Sequence, residues 1–118
     1  MQTLGSFLRD RRQELQERDP RYSLSQLARR VGVTPAFLSQ VERGIARSGP
    51  AEETLRLLAA ELGVDADVLL ALAGKVSADL QEAIRRRPVL FAELIRELRD
   101  LPDHAVLRLV REVRDGAW

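Results

Sequence analysis

A strip of small and hydrogen-bonding side chains recurs at helical spacing between positions 34 and 43. On an α-helix these positions lie on one side, since residues three and four apart are neighbours. In the DNA major groove glutamine can pair with adenine and arginine with guanine, and a small apolar side chain can contact the thymine methyl group. The strip could therefore read base edges, and an ordinary solvated helix face is the alternative. Its residues are Thr34, Pro35, Ala36, Ser39, Gln40 and Arg43.

Two short helices joined by a tight turn are predicted to hold this strip in place. Ser23 is the expected N-cap of the first helix, and Gln26 completes a capping-box pattern with it. Thr34 is the expected N-cap of the second, and Pro35 occupies its first position, where a missing N–H costs nothing. A glycine ends each helix, and such a pair can place its second helix in the major groove. The apolar residues expected to face inward are Leu27, Ala28, Val31, Val33, Leu38 and Val41.

The segment resembles the Cro/C1-type (XRE) helix-turn-helix family. This resemblance implies an all-α, five-helix, lambda-repressor-like DNA-binding domain over residues 1–76. It also implies that Glu42 is structural and pairs with Arg9 or Arg12 of the first helix. One departure is the stretch from Gln13 to Tyr22, which is longer than the family's usual link. The matching residues are Leu4, Leu8, Arg9 and Arg12, then Leu24, Gln26, Leu27, Ala28, Gly32, Val33, Thr34, Leu38, Ser39, Glu42 and Gly44, and then Leu55, Leu58, Ala59, Leu62 and Gly63.

Positive charge is concentrated in the part of the chain that carries these two helices. Residues 1–50 contain nine Arg and five acidic residues, a balance of +4, whereas residues 51–76 contain two basic and five acidic residues, a balance of −3. An excess of arginine suits the neutralisation of DNA phosphates. We therefore expect Tyr22, Ser23, Gln26 and Arg47 to contact phosphate, although Tyr22 could equally pack against the first helix.

Composition argues against several other classes of protein. The chain has 118 residues, a net charge of +1 and no cysteine, so a disulfide framework and thiolate chemistry are excluded. The opening residues lack the pattern of a signal peptide, and the longest apolar run, from Val68 to Ala73, is far shorter than the roughly 20 residues that span a bilayer. These features are those of a cytoplasmic protein, and a reducing cytosol fits the absence of cysteine.

Nothing in the sequence predicts an enzyme. His104 is the only histidine, and it follows Asp103 at a predicted helix start, where a surface position is the simplest account. No second histidine or cysteine accompanies it to hold a metal ion. The chain also lacks a glycine-rich phosphate loop. We therefore expect no catalytic residue, no metal and no cofactor.

Residues 77–118 form a second predicted unit of three amphipathic helices. Ser77 is the expected cap of the first helix, and Pro88 and Asp103 start the other two. So short a segment rarely buries enough apolar surface to offset its chain entropy, which predicts pairing with the same segment of a second subunit. The alternative is that the helices fold back and complete the first domain. The residues expected in a homodimer interface are Leu80, Ile84, Phe91, Leu94, Ile95, Leu98, Val106, Leu109, Val110 and Val113.

Two stretches on either side of Ile84, residues 71–81 and residues 86–96, resemble those of CapH-like and DdrO-like repressors, which occur beside zinc metallopeptidases of the ImmA/IrrE type. The resemblance implies that a partner peptidase cuts the dimerisation segment and releases DNA. Pro102 interrupts helix continuity, so we expect the cut near the stretch from Leu98 to Pro102. The sequence as a whole predicts a dimeric repressor acting on an inverted repeat of double-stranded DNA. The alternatives are an antitoxin with an autoregulatory helix-turn-helix and an interaction module that has lost DNA binding.

Overall fold

The structure, a computed structural model, describes residues 2–116 and 118, and helices are its only regular elements in those residues. The all-α fold expected from the sequence is confirmed. A 3-10 turn at Pro20–Tyr22 separates the first two helices. The helices are α1 (Leu4–Gln16), α2 (Leu24–Val31), α3 (Pro35–Arg43), α4 (Glu52–Leu62), α5 (Ala66–Leu72), α6 (Ala78–Arg86), α7 (Pro88–Leu98) and α8 (Asp103–Arg114).

The chain divides into two compact units, Met1–Ser77 and Ala78–Trp118. Ser77, which the sequence analysis places at the start of the second unit, ends the first unit and is buried, with 1% of its surface exposed. We expected Ser77 to cap the following helix. Its Oγ instead has no hydrogen-bond partner among the described residues, and α6 begins at Ala78 without that cap.

A single apolar core holds α1 to α5 together in the first unit. The predicted inward-facing residues of α2 and α3 are buried, and Val33 packs at the edge of the core. Burial of leucine side chains contributes about 1.5–3 kcal/mol each, so this core is the main source of the unit's stability. Its buried apolar residues are Leu8, Leu27, Ala28, Val31, Leu38, Val41, Leu55, Leu58, Ala59, Leu62, Leu69 and Leu70.

Helix α1 lies very close to the backbone at the end of α3 at Gly5. A Cβ atom at this position would overlap the backbone carbonyl oxygens of Val41 and Glu42. The hydrogen atom of glycine therefore sets the separation between α1 and the end of α3. Sequence reasoning missed this role, because the carbonyls lie more than thirty residues away along the chain.

The second unit has amphipathic helices but no core of its own in its described residues. No residue of α6, α7 or α8 is fully buried. Between α7 and α8 lies an apolar groove of about 370 Å³. Six of the ten predicted dimerisation residues line it, namely Leu94, Leu98, Val106, Leu109, Val110 and Val113.

The other four predicted interface residues lie elsewhere on the second unit. Leu80 and Ile95 are exposed, and Ile84 and Phe91 are half-buried. Across the described residues, no helix has the length and apolar character required to cross a membrane.

Candidate nucleic-acid interface

The turn between α2 and α3 has the caps that the sequence predicted. Ser23 Oγ accepts a hydrogen bond from the Gln26 backbone N–H at 3.3 Å, and Thr34 Oγ1 accepts one from the Phe37 N–H at 3.0 Å. Gly32 ends α2 with a φ of 77°, in the left-handed region that glycine adopts without a Cβ penalty. These local contacts fix where each helix starts and stops, and so fix the angle at which α3 leaves the turn.

The predicted strip on α3, here called the recognition strip, lies on the surface. It comprises Thr34, Pro35, Ala36, Ser39, Gln40 and Arg43; Ser39 is half-buried and the other five are exposed. The opposite side of α3 is buried through Leu38, Val41 and Glu42. The helix therefore presents short and hydrogen-bonding side chains outward over its whole length.

A buried ion pair fastens α3 to α1. Arg12 Nε donates to Glu42 Oε2 at 2.7 Å and Arg12 Nη2 donates to Glu42 Oε1 at 3.0 Å, so the guanidinium and carboxylate groups meet at two points. Arg12 Nη1 also donates to Gln16 Oε1 at 3.2 Å and to the Tyr22 carbonyl at 3.3 Å. The pair satisfies the charges that burial would otherwise make costly.

Arg12 is thus the partner of Glu42, and the expectation that left Arg9 as an equal candidate is corrected. Arg9 lies on the outer side of α1, where its side chain is 46% exposed and its Nε is 3.8 Å from Asp10 Oδ1. Arg12, unlike Arg9, lies on the side of α1 that faces α3, where both it and Glu42 are buried.

Tyr22 supports the fold, and its predicted phosphate contact is a second correction. Its hydroxyl donates to the Glu61 carbonyl oxygen in α4 at 2.9 Å, and the Arg30 guanidinium lies 5.1 Å from its ring centre. Arg30 also pairs with the Glu61 carboxylate at 2.9 Å and donates to the Arg21 carbonyl at 2.6 Å. The long link after α1 is therefore held against α4.

Within the same link, Arg21 donates from Nη2 to Asp19 Oδ2 at 2.8 Å. This side-chain hydrogen bond holds the pKa of the Asp19 carboxyl below its usual value, and the bond to Asp19 raises the pKa of Arg21. The lengthened link thus places Arg21 in a pair with its neighbour.

The remaining predicted phosphate contacts stay accessible. Gln26 and Arg47 are exposed, and the half-buried Ser23 accepts its cap bond through Oγ, which leaves its O–H able to donate. Within residues 2–116 and 118, neither Arg43 nor Arg47 has a carboxylate partner. Both guanidinium groups can therefore meet an external anion. In the same residues, no group of three metal-binding side chains is close enough to hold a metal ion.

Comparison with known proteins identifies the type of domain. A family model described as Helix-turn-helix matches residues 16–69, which include α2, the turn, α3 and α4. The first unit carries a helix-turn-helix domain.

Two curated relatives are similar to part of this chain. Both are named uncharacterized HTH-type transcriptional regulators, and they come from the Mycobacterium tuberculosis strains CDC 1551 / Oshkosh and ATCC 25618 / H37Rv. Each is 41% identical over 70 residues, which is 59% of this chain and 45% of the relative. The chain thus spans less than half the length of these relatives. No solved structure matches it.

Replacing Glu42 by alanine should destabilise the helix-turn-helix domain by about 3–5 kcal/mol, because Arg12 would remain buried without its counter-charge. Urea unfolding followed by circular dichroism measures this change. Glu52→Ala is the matched control, since the partly exposed Glu52 has its Oε2 3.6 Å from Arg56 Nε. This change should lower the free energy of unfolding by at most about 1 kcal/mol. Equal losses for the two variants would show that the buried pair does not secure α3.

Proposed function

We propose that this protein is a transcriptional repressor that reads DNA bases with α3. The observation that carries the proposal is the exposed recognition strip on a helix whose other side is fixed in the core. Its glutamine and arginine have the donor and acceptor groups that distinguish bases in the major groove. The names of the two curated relatives, which describe transcriptional regulators, also support it.

The charged and polar side chains around the recognition strip favour an orientation in which α3 faces the DNA. Arg43 ends α3 and Arg47 follows in the loop before α4, and both are exposed. Gln26 is exposed near the start of α2, where backbone N–H groups and the helix dipole favour a phosphate. In this arrangement α3 lies in the groove, while the start of α2 and the loop after α3 contact the DNA backbone.

The change Gln40→Ala should weaken binding to the preferred DNA site by about 1–3 kcal/mol and relax preference at one base position in each half-site. Arg47→Ala is the contrasting variant, because losing a phosphate contact should weaken all DNA alike and reduce the salt dependence. Fluorescence anisotropy with duplexes that differ at single base pairs separates the two effects. Unchanged base preference in Gln40→Ala would contradict the placement of α3.

We also propose that the second unit joins two chains into a homodimer. None of its described helices contains a fully buried residue, and its α7–α8 groove is lined almost wholly by apolar side chains. Residues 77–118 contain eight Arg and eight acidic residues, so a second copy of the segment meets no net repulsion. A dimer would place two helix-turn-helix domains on the half-sites of an inverted repeat.

A chain truncated after Ser77 should remain folded, because the core of the first unit lies entirely within it. The truncated protein should be monomeric and should lose most of its affinity for an inverted repeat, since two half-sites are no longer bound by one particle. Light scattering and DNA titration measure the two properties. A dimeric truncated chain would instead place the interface on the first unit.

Regulated cleavage of the second unit would be an effective way to release DNA, and we propose it for this protein. Residues 99–102 between α7 and α8 are all exposed. An exposed link of this kind is accessible to a protease. The proposed protease is a zinc metallopeptidase of the ImmA/IrrE type.

Incubation of the full chain with such a metallopeptidase should produce a fragment that ends near residues 98–102 and retains the whole helix-turn-helix domain. Intact-mass measurement identifies the cut, and a DNA titration of the digest should show the loss of affinity. The matched control is the same digestion with the peptidase's zinc removed by a chelator. Cleavage between residues 23 and 44, or none at all, would contradict this mechanism.

A further inference from the structure

Helices α2 to α5 end in the same backbone motif. A glycine with positive φ follows each helix closely, and the residue after the glycine donates its N–H to the carbonyl five positions earlier. This is the longer hydrogen bond of the Schellman ending, and it satisfies a carbonyl that a helix end leaves unpaired. The bonds are Val33 to Ala28 at 3.0 Å, Ile45 to Gln40 at 3.0 Å, Val64 to Ala59 at 3.0 Å and Lys75 to Leu70 at 2.8 Å.

An apolar residue after the glycine normally packs against the residue whose carbonyl it bonds, or against the one before it. At the ends of α2 and α4 that role is filled inside the domain. Val33 and Val64 are partly buried against the core, and the carbonyls they bond belong to the buried residues Ala28 and Ala59. At the end of α5 the residue is the polar Lys75, which donates to the Pro50 carbonyl at 3.0 Å.

Ile45, at the end of α3, departs from this pattern. Its bonded carbonyl belongs to the exposed Gln40, and Ile45 is itself 59% exposed. Two backbone bonds fix its position, its own and that from the Gly44 N–H to the Val41 carbonyl at 3.1 Å. A β-branched side chain also has few rotamers. A rigid apolar group is therefore presented beside the recognition strip.

We propose that Ile45 is a further specificity-determining residue, which contacts the C5-methyl group of a thymine next to the base read by Gln40. This inference rests on the proposed DNA-binding function. The molecule that Ile45 contacts is DNA, because Arg43 and Arg47 favour a polyanion. These two arginines lie on either side of Ile45 in the sequence and have no carboxylate partner in the described residues. Apolar contact with the thymine methyl group is an established way of reading that base.

The test begins with a duplex that the full chain selects from a randomised DNA pool. Affinity is then measured for this duplex, for versions in which each thymine in turn is replaced by uracil, and for a random duplex. Uracil lacks only the methyl group. At one position in each half-site, replacing thymine by uracil should lower the affinity of the unaltered chain roughly fourfold, which is the effect expected when one carbon group is no longer buried.

Ile45→Ala should weaken binding to the selected duplex by about tenfold and should abolish the effect of uracil at that one position, because the group that contacts the methyl is gone. Thermal unfolding should be unchanged, since Ile45 is exposed. Val68→Ala is the matched control: Val68 is an apolar residue of α5 that is 44% exposed, and its loss should alter neither the affinity nor the uracil pattern.

Two results would overturn the inference while the proposed function stands. Ile45→Ala could bind as tightly as the unaltered chain, or it could weaken selected and random duplexes equally with the uracil pattern intact, which would indicate a contact to the sugar-phosphate backbone. In either case Gln40→Ala would still change base preference. If the unaltered chain selects no sequence, the proposed function fails and this inference fails with it.

Discussion

The buried pair between Arg12 and Glu42 is the interaction on which the position of α3 depends. Burying two charges costs several kcal/mol for each ion, and the attraction compensates only when geometry and additional hydrogen bonds are good. Here the carboxylate is contacted twice and the remaining guanidinium nitrogen is bonded to Gln16 and to the Tyr22 carbonyl. An apolar pair could fill the same space, but it would not fix the helix by directional bonds.

A second constraint acts on the same crossing through the backbone. Gly5 lets α1 approach the Val41 and Glu42 carbonyls more closely than any side chain would permit. The ion pair and this contact hold α3 at two points on its buried side. The backbone of α3 is consequently held in place, so little backbone ordering entropy would be lost when its exposed side chains meet base edges.

The two units of the chain differ in the source of their stability. The first has a closed apolar core and makes its long-range bonds internally, as in the contact of Tyr22 with α4. The second leaves apolar side chains exposed along α7 and α8. In the proposed homodimer the second copy would cover them and stabilise these helices. Under the proposed function, association therefore controls DNA affinity without any change in the recognition helix.

Features with local causes could be predicted from the sequence. Thr34, Pro35 and the glycines after α2 and α3 specify helix ends within a few residues, and the structure confirms them. Features with distant causes could not. Both Arg9 and Arg12 were compatible with Glu42 until the packing of α1 was known, and the carbonyl that accepts from Tyr22 is 39 residues away. Tyr22, beside Arg21, is equally compatible from the sequence with a contact to DNA phosphate and with packing inside the domain.

The most direct test of this account is a titration of the full chain into a selected inverted-repeat duplex and into a random duplex of equal length, at several salt concentrations. Two chains should bind each selected duplex. Affinity should fall with salt for both duplexes while the preference for the selected one persists, because phosphate contacts are salt-dependent and base contacts supply the specificity. Equal affinity for the two duplexes at every salt concentration would contradict it.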